Sequence, residues 1–213
     1  MATAAATDQV RAQVRGPVRG QARRQDNRRQ QLLDAAARRF REFGYDATSM
    51  RDIAGDVGMH AGSMYYHFRS KEELLVAVHE AGIRRITAAV EAAIEGEQEP
   101  WRRLEAFAAA HLGVLLDGGD YAQVVMRELP REPERVRRGL VRLRDDYESV
   151  VLRLIEALPL GPGVDRRAFR LMLMGALNWS QTWYRPGGEA PEAIAAAFVA
   201  LLGDGLRPGE GKA

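Results

Sequence analysis

A short stretch of this 213-residue chain concentrates polar groups on one side of a predicted helix. At about 100° per residue, four residues share that side: Gly62, Ser63, Tyr66 and Arg69. Hydroxyl groups donate and accept hydrogen bonds, a guanidinium pairs with anions, and a glycine lets another backbone approach closely. The predicted helix therefore turns small, hydroxyl-bearing, aromatic and cationic groups outward.

The helix that precedes this face is predicted from its apolar spacing and its ends. Its apolar residues fall at i, i+3, i+4 and i+7: Met50, Ile53, Ala54 and Val57. Ser49 can cap its start, and Asp52 follows three residues later, where a capping box has an acid. Gly58 supplies the backbone freedom that ends the helix and turns the chain.

The helix that carries the polar face also has an apolar stripe, formed by Ala61, Met64 and Phe68. Two short helices joined by a tight turn are the layout of a helix-turn-helix, whose second helix enters the DNA major groove. They are equally the layout of an ordinary pair of packed helices. Periodicity alone does not separate these two interpretations.

A longer run, from Leu32 to Leu74, carries an ordered pattern around these helices. Its pieces are Phe40, Gly44, Tyr45, Thr48, Ser49, Ile53, Ala54, Val57, Gly58, Gly62, Ser63, Tyr65, His67, Phe68, Ser70, Lys71, Glu72 and Leu74. This run resembles the DNA-binding region of the TetR family of bacterial transcriptional regulators. His60 departs from the pattern, because the family usually has a serine there that caps the recognition helix.

The resemblance implies an all-α fold, with a three-helix helix-turn-helix DNA-binding head and a helical body for ligand binding and dimerisation. It also implies phosphate contacts for four residues: Thr48, Tyr65, His67 and Lys71. The alternatives are a helix cap for Thr48, half-buried packing for Tyr65, a core position for His67 and a free surface cation for Lys71. The full set of candidate DNA contacts is Arg23, Arg24, Thr48, Ser49, Arg51, Ala61, Gly62, Ser63, Tyr65, Tyr66, His67 and Lys71.

Positive charge is concentrated at the same end of the chain. Residues 1–71 hold thirteen Lys and Arg against seven Asp and Glu, a net of +6, whereas the whole chain carries +2. Residues 1–24 are poor in apolar side chains and include Gly20, so we predict a disordered basic arm. Arg23 and Arg24 adjoin the first helix and are predicted to contact phosphate. For the earlier arginines, a solubilising tail is an equal alternative.

Composition and missing motifs exclude several classes of protein. The chain has no cysteine, so disulfides, thiolate zinc sites and cysteine nucleophiles are excluded. His79-Glu80 begins like a metalloprotease helix, but Ile83 replaces the second histidine. No signal peptide and no apolar run of ~20 residues is present, so we expect a cytoplasmic protein without a membrane partner. We predict no catalytic residue, no metal and no cofactor.

The chain is predicted to divide into a head and a body. Residues 25–70 form the DNA-binding domain, residues 71–207 the ligand-binding and dimerisation domain, and residues 208–213 a tail. The predicted helices cover approximately residues 26–43, the two short helices above, 71–95, 100–116, 121–128, 134–158, 165–184 and 191–206. The helix over 71–95 resembles the connector between head and body in the family.

The last two predicted helices are assigned to a dimer interface. The first has an apolar stripe of Phe169, Met172, Ala176, Trp179 and Trp183, and the second is rich in alanine. Small residues let helices approach closely, which suits a two-fold four-helix bundle. Completion of a monomeric core is the alternative. Because helix-turn-helix proteins usually read two half-sites, we favour a homodimer bound to double-stranded operator DNA.

The segment GALNWSQTWYRPGG, Gly175 to Gly188, resembles a subgroup of TetR-like regulators whose ligands include CoA thioesters from fatty-acid or steroid breakdown. This resemblance implies an apolar cleft for a small-molecule effector. The candidate walls are Phe107, His111, Met126, Tyr147, Val151, Met172 and Trp179, with Arg127 and Arg185 for CoA phosphate; ordinary core packing is the alternative for each wall. The sequence thus predicts an effector-released repressor. The alternatives are an architectural DNA-binding protein without an effector and, with no supporting motif, an enzyme.

Overall fold

The computed structural model describes the backbone of residues 18–126 and 134–206 and the side chains of residues 24–126 and 137–204. Within these ranges the fold is all-α, as predicted. The helices are α1 (Val18–Phe43), α2 (Met50–Asp56), α3 (Ala61–Met64), α4 (Lys71–Ile94), α5 (Pro100–Leu116), α6 (Asp120–Met126), α7 (Glu134–Glu156), α8 (Arg166–Trp179) and α9 (Pro191–Leu206). No helix in the described part is long and apolar enough to cross a membrane.

Helix α1 begins at Val18, well before the predicted start at Asp26. The predicted disordered arm therefore does not extend over residues 18–24. Gly20 costs a helix only about 1 kcal/mol relative to alanine, and the arginines and glutamines around it are good helix formers. Residues 1–17 of the predicted arm and the predicted tail, 208–213, lie outside the described residues.

The ends of the helices near the polar face follow from local hydrogen bonds. At α2, Ser49 Oγ accepts from the backbone N–H of Asp52, and the Asp52 carboxylate accepts from the N–H of Ser49, which confirms the capping box. At α4, Ser70 Oγ likewise accepts from the N–H of Glu73. His60 precedes α3 without a capping side-chain bond, and α3 is only four residues long.

Two apolar cores lie within the described part of the chain. The head core joins α1, α2, α3 and the first half of α4, and it also contains Tyr121 and Val124 from α6 and Leu140 from α7. The body core joins the second half of α4 to α5, α7, α8 and α9. The packing therefore crosses the predicted domain boundary at residue 70, because α4, α6 and α7 contribute side chains to the head.

Helix α6 packs closely against both the head and the connector. The Tyr121 hydroxyl donates to Asp34 Oδ1 of α1 at 2.7 Å, and Gln30 Nε2 donates to the Tyr121 oxygen at 3.1 Å. A Cβ added at Gly82 of α4 would lie 2.7 Å from Val125 Cγ2 and 3.2 Å from the carbonyl oxygen of Tyr121. A larger residue at this position would therefore force the Val125 side chain or the two helices to shift.

Helix α8 divides the predicted apolar stripe between the core and the surface. Its buried residues are Phe169, Leu173 and Leu177, at i, i+4 and i+8. Met172 and Trp179, which were predicted to share a stripe with Phe169, are exposed. The helix is apolar on nearly every side, so its sequence periodicity does not identify the core-facing row. A 3-10 turn, Ser180–Thr182, follows α8 where one continuous helix to residue 184 was predicted.

Candidate functional site

Of the four residues predicted to form a polar face on the second short helix, Gly62 and Ser63 lie in α3, whereas Tyr66 and Arg69 lie beyond its last residue, Met64. The polar face is therefore shared by α3 and the turn after it. Tyr66 is 92% exposed, and Gly62, Ser63 and Arg69 are also exposed. On the opposite side Met64 is fully buried in the head core. The face therefore presents hydroxyl, phenol and guanidinium groups to a ligand while an apolar anchor holds the helix.

Helix α3 is positioned by the core rather than by a cap. Phe68, just after the helix, is 1% exposed, and the Arg29 guanidinium of α1 lies 4.9 Å from its ring centroid. The backbone N–H groups of His67 and Phe68 both donate to the carbonyl of Met64, which makes the turn after α3 compact. Tyr65 is 52% exposed and His67 half-buried on this turn.

Two residues predicted to contact phosphate have partners inside the protein. Thr48 is 2% exposed, and its hydroxyl donates to the carbonyl of Gly44 at 2.8 Å. The Lys71 ammonium donates to the carbonyls of Tyr45 and Thr48 at 2.9 and 3.0 Å and lies 4.2 Å from the Tyr45 ring centroid. These contacts fasten the turn between α1 and α2 to the start of α4, and both side chains thereby position the helix-turn-helix.

An ion pair that the sequence did not reveal fixes α2 against α1. The Arg39 guanidinium binds both carboxylate oxygens of Asp56, at 2.8 and 2.7 Å, and Arg38 binds one of them at 3.1 Å. The hydrogen bond from Arg39 is the main reason that the pKa of Asp56 is lowered to about 2. The partners are 17 and 18 residues apart on different helices, beyond the reach of local pattern analysis.

The remaining candidate DNA contacts surround this face. Ser49, Arg51 and Arg24 are exposed, and Ala61 is half-buried at the start of α3. The side chain of Arg23 lies outside the described residues. A short exposed helix with hydrogen-bonding groups, flanked by cationic side chains, can place donors and acceptors against base edges while its neighbours contact phosphates.

The body brings together four of the residues predicted to line an effector cleft. Phe107, His111 and Val151 are fully buried, and Tyr147 is 6% exposed. The rings of Phe107, His111 and Tyr147 lie 5.9 to 6.2 Å apart, centroid to centroid. Helices α5 and α7 therefore meet through an aromatic cluster at the centre of the body core.

A hydrogen-bonded chain runs through this cluster. His111 Nδ1 is 2.7 Å from the Tyr147 hydroxyl, and His111 Nε2 is 3.0 Å from Asn178 Oδ1. Burial lowers the pKa of His111 to about 4 and raises that of the Tyr147 phenol, so both groups are neutral near pH 7. An amide oxygen only accepts, so Nε2 carries the proton and Nδ1 accepts from Tyr147. The sequence analysis missed Asn178, although it is a lone amide within an apolar stretch of α8.

The other predicted cleft residues do not join this cluster. Met172 and Trp179 are 62% and 67% exposed on the outer side of α8, so their assignment as cleft walls is corrected. The inward row of α8, which begins at Phe169, takes the place that they were predicted to fill. Arg185 is exposed after α8, Met126 is half-buried at the end of α6, and Arg127 lies outside the described residues.

The exposed face of α3 and the turn after it, the buried Met64 and the second helical core together define a helix-turn-helix DNA-binding protein with a helical body. Residues 32–78 match the family described as "Bacterial regulatory proteins, tetR family". Residues 97–206 match "Tetracyclin repressor-like, C-terminal domain", over about half of the chain. The chain belongs to the TetR family and is a DNA-binding transcriptional regulator.

Individual regulators are similar over nearly the full length. The transcriptional repressor KstR2 of Mycobacterium tuberculosis is 28% identical over 189 residues, or 85% of this chain and 94% of KstR2. The transcriptional regulator TcmR of Streptomyces glaucescens is 31% identical over 193 residues, or 84% of this chain and 83% of TcmR. The crystal structure of AibR with isovaleryl coenzyme A and operator DNA shares the fold, with a TM-score of 0.73, 23% identity and coverage of 82% and 97%.

Proposed function

We propose that this protein is a cytoplasmic repressor that binds operator DNA as a homodimer and leaves it when a small apolar effector fills the body. The observation that carries the DNA-binding part is the open polar face of α3 and the turn after it, where Tyr66 is 92% exposed while Met64 is fully buried. On this proposal Ser63 and Tyr66 contact base edges. Arg23, Arg24, Tyr65 and His67 contact phosphates on either side.

An exposed apolar surface supports the homodimer. The large apolar side chains on the outer side of α8, the turn after it and α9 are 46% to 75% exposed: Leu171, Met172, Trp179, Trp183 and Leu201. Clustered apolar groups of this size on a water-facing surface mark a site of protein association. A two-fold pairing through this surface would give the two heads that two half-sites require.

The body supports a small-molecule effector of largely apolar character. The described body core is apolar except for a few buried polar groups, among them His111. A few convergent polar groups in an apolar surrounding are typical of small-molecule sites. The AibR structure contains isovaleryl coenzyme A and operator DNA, so a CoA thioester is our first candidate effector. The exposed Arg185 is a candidate contact for a CoA phosphate.

Release requires the effector to favour one arrangement of the heads. It must bind more tightly to the arrangement that does not fit the operator than to the one that does. A tenfold loss of operator affinity corresponds to about 1.4 kcal/mol of this difference. Helix α4 contributes to both the head and the body core, so a shift along it would change the separation of the two heads.

The test is an operator titration of the purified protein, using its own promoter DNA with and without acyl-CoA thioesters. We expect tight, salt-sensitive binding that a thioester relieves. Tyr66→Ala should abolish the preference for operator over unrelated DNA. Tyr66→Phe keeps the ring and should therefore keep the share of that preference that comes from ring contacts with the bases. Unchanged operator preference in Tyr66→Ala would refute the groove assignment. Tight binding that no compound disturbs would favour an architectural DNA-binding protein.

A further inference from the structure

The hydrogen-bonded chain in the body crosses an otherwise apolar interior. Tyr147 from α7 and His111 from α5 are buried, whereas Asn178 near the end of α8 is half-buried. The side chains packed around them, such as Phe107 and Leu177, belong to the apolar body core. The chain of three residues therefore extends from the centre of the body toward its surface.

The hydrogen-bonded chain ends nearest the surface at a neutral carbonyl group, that of the Asn178 side chain. Asn178 Oδ1 accepts the hydrogen that His111 Nε2 donates, at 3.0 Å. An amide oxygen resembles the oxygen of an ester, thioester or ketone in geometry and in its lack of net charge. Because Asn178 is half-buried, its side chain can turn toward solvent without losing all of its hydrogen bonds. That movement would leave a buried donor on His111 ready for another acceptor.

Within the described part of the chain, no charged neighbour contributes to the pKa shifts of His111 and Tyr147, which come from burial and, for His111, from the Asn178 hydrogen bond. Among the described residues, the hydrogen bonds of the three side chains join them to one another. The two arginines of α8 whose partners are known are engaged elsewhere: Arg170 pairs with Glu148, and Arg166 donates to the carbonyls of Ile155 and Leu158. A carboxylate buried beside His111 would lack a cationic partner, which is costly in an apolar interior.

We infer that His111 donates a hydrogen bond to an uncharged carbonyl of the effector, which takes the place of Asn178 Oδ1. This inference rests on the proposed function and narrows its effector class. The body would select an acyl thioester, ester or ketone and discriminate against the free carboxylate of the same skeleton. Asn178 is the internal competitor for the same donor, and Tyr147 holds the imidazole in the required tautomer.

The test uses the full chain bound to its labelled promoter DNA and follows release by fluorescence anisotropy. The probes are isovaleryl-CoA, octanoyl-CoA, methyl octanoate, octanoate and CoA alone. For the wild type, we expect octanoyl-CoA and methyl octanoate to act at concentrations at least about tenfold below octanoate, because only the carboxylate must be buried with a charge. The ester removes the CoA moiety from the comparison, and CoA alone controls for its phosphates.

Two variants with opposite expected effects show whether His111 and Asn178 act on effector binding or only on the stability of the fold. His111→Phe keeps a ring but removes the donor, so about tenfold more thioester or ester should be needed for release. Asn178→Ala removes the internal competitor, so several-fold less should be needed. Gln181→Ala removes a hydrogen bond to the backbone carbonyl of Asn178, at 3.1 Å, but leaves the Asn178 side chain in place, so it should behave as the wild type. Thermal unfolding and operator affinity without a probe show that each variant is folded.

Opposite shifts of His111→Phe and Asn178→Ala would support the inference. Equal potency of octanoate and methyl octanoate would overturn it, as would shifts of both variants in the same direction, and either result would leave effector-controlled binding intact. Release by none of the probes would overturn it together with the effector part of the proposed function. Loss of operator binding in the wild type would refute the proposed function itself.

Discussion

Individual side chains near the DNA-binding face divide into those that meet solvent and those that fix the scaffold. Lys71 and Thr48 belong to the second group, because each donates to backbone carbonyls of the turn between α1 and α2. Arg24 belongs to the first group, on an exposed side of α1. Removal of a cation that holds the scaffold should lower stability, whereas removal of a cation that contacts phosphate should weaken DNA binding.

Lys71→Ala is expected to lower the free energy of unfolding by about 1.5–3 kcal/mol, because hydrogen bonds from a charged donor are lost. The dependence of operator affinity on salt should stay close to that of the wild type. Arg24→Ala should leave stability unchanged and reduce the slope of log affinity against log salt by about one. Urea unfolding and operator titrations at several salt concentrations measure both effects. A reduced slope with unchanged stability in Lys71→Ala would restore its role as a phosphate contact.

Asp56 gives a pH dependence whose sign follows from its partners. Its pKa falls from an ordinary 3.8 to about 2, chiefly through the Arg39 hydrogen bond, so its stabilising effect is present above the ordinary value and disappears as the pH falls through about 2. Asp56→Asn should lower stability by no more than about 1 kcal/mol near neutral pH, because the pair is accessible to water. The difference from the wild type should vanish between about pH 4 and pH 2. Urea unfolding across this range tests it, and a constant difference would contradict it.

Sequence alone could predict the residue-level features whose partners are close along the chain. The capping box of Ser49 and Asp52 is local, and so is the alternation that exposes Tyr66 and buries Met64. Asn178 and His111 are 67 residues apart, and their contact depends on how α5 and α8 pack. Periodicity carries no information about such a pairing.

At the scale of elements, turn and cap residues gave the boundaries of several helices. Helices α5 and α9 have the predicted limits, because proline begins each of them. The rotation of α8 could not be predicted in the same way. Its sequence is apolar on almost every side, so only the packing against its neighbours shows that Leu173 faces the core and Met172 faces outward.

The contact between α4 and α6 gives a prediction at this scale. Gly82→Ala places a methyl group 2.7 Å from Val125 Cγ2 and 3.2 Å from the Tyr121 carbonyl oxygen, so the Val125 side chain or the two helices must shift. We expect a loss of about 1–3 kcal/mol in unfolding free energy, despite the better helix propensity of alanine.

Gly113→Ala is the matched control for this change, because it lies within α5 and a Cβ there meets no atom within 4 Å. It should be neutral or stabilising by up to about 1 kcal/mol. Chemical unfolding of the two variants side by side measures the difference. Equal stability of the two variants would show that α4 and α6 adapt without cost.

At the scale of the whole molecule, the exposed apolar surface on α8 and α9 predicts association. Trp179→Glu places a charge at a side chain that is 67% exposed in the single chain, so the fold should persist while the dimer separates. Sedimentation should show a monomer, and operator affinity should fall at least about tenfold because two half-sites are no longer read together.

Leu152→Glu is the control for this charge. Leu152 is 43% exposed on α7, which contributes no residue to the proposed interface, and the change should leave both the sedimentation and the operator affinity as in the wild type. A dimer that survives Trp179→Glu but not Leu152→Glu would move the interface to α7.

The shared core of the head also limits how this regulator can be recombined with others. Tyr121, Val124 and Leu140 complete the packing around α1 and α4, although they come from a part of the chain that sequence assigns to the body. A hybrid that joins residues 1–70 to a foreign body would lack these side chains and leave apolar surface of α1 open to water. A hybrid that keeps the operator preference of this protein therefore needs α6 and the first part of α7 together with the head. Otherwise the recipient body must supply apolar side chains at the same three positions.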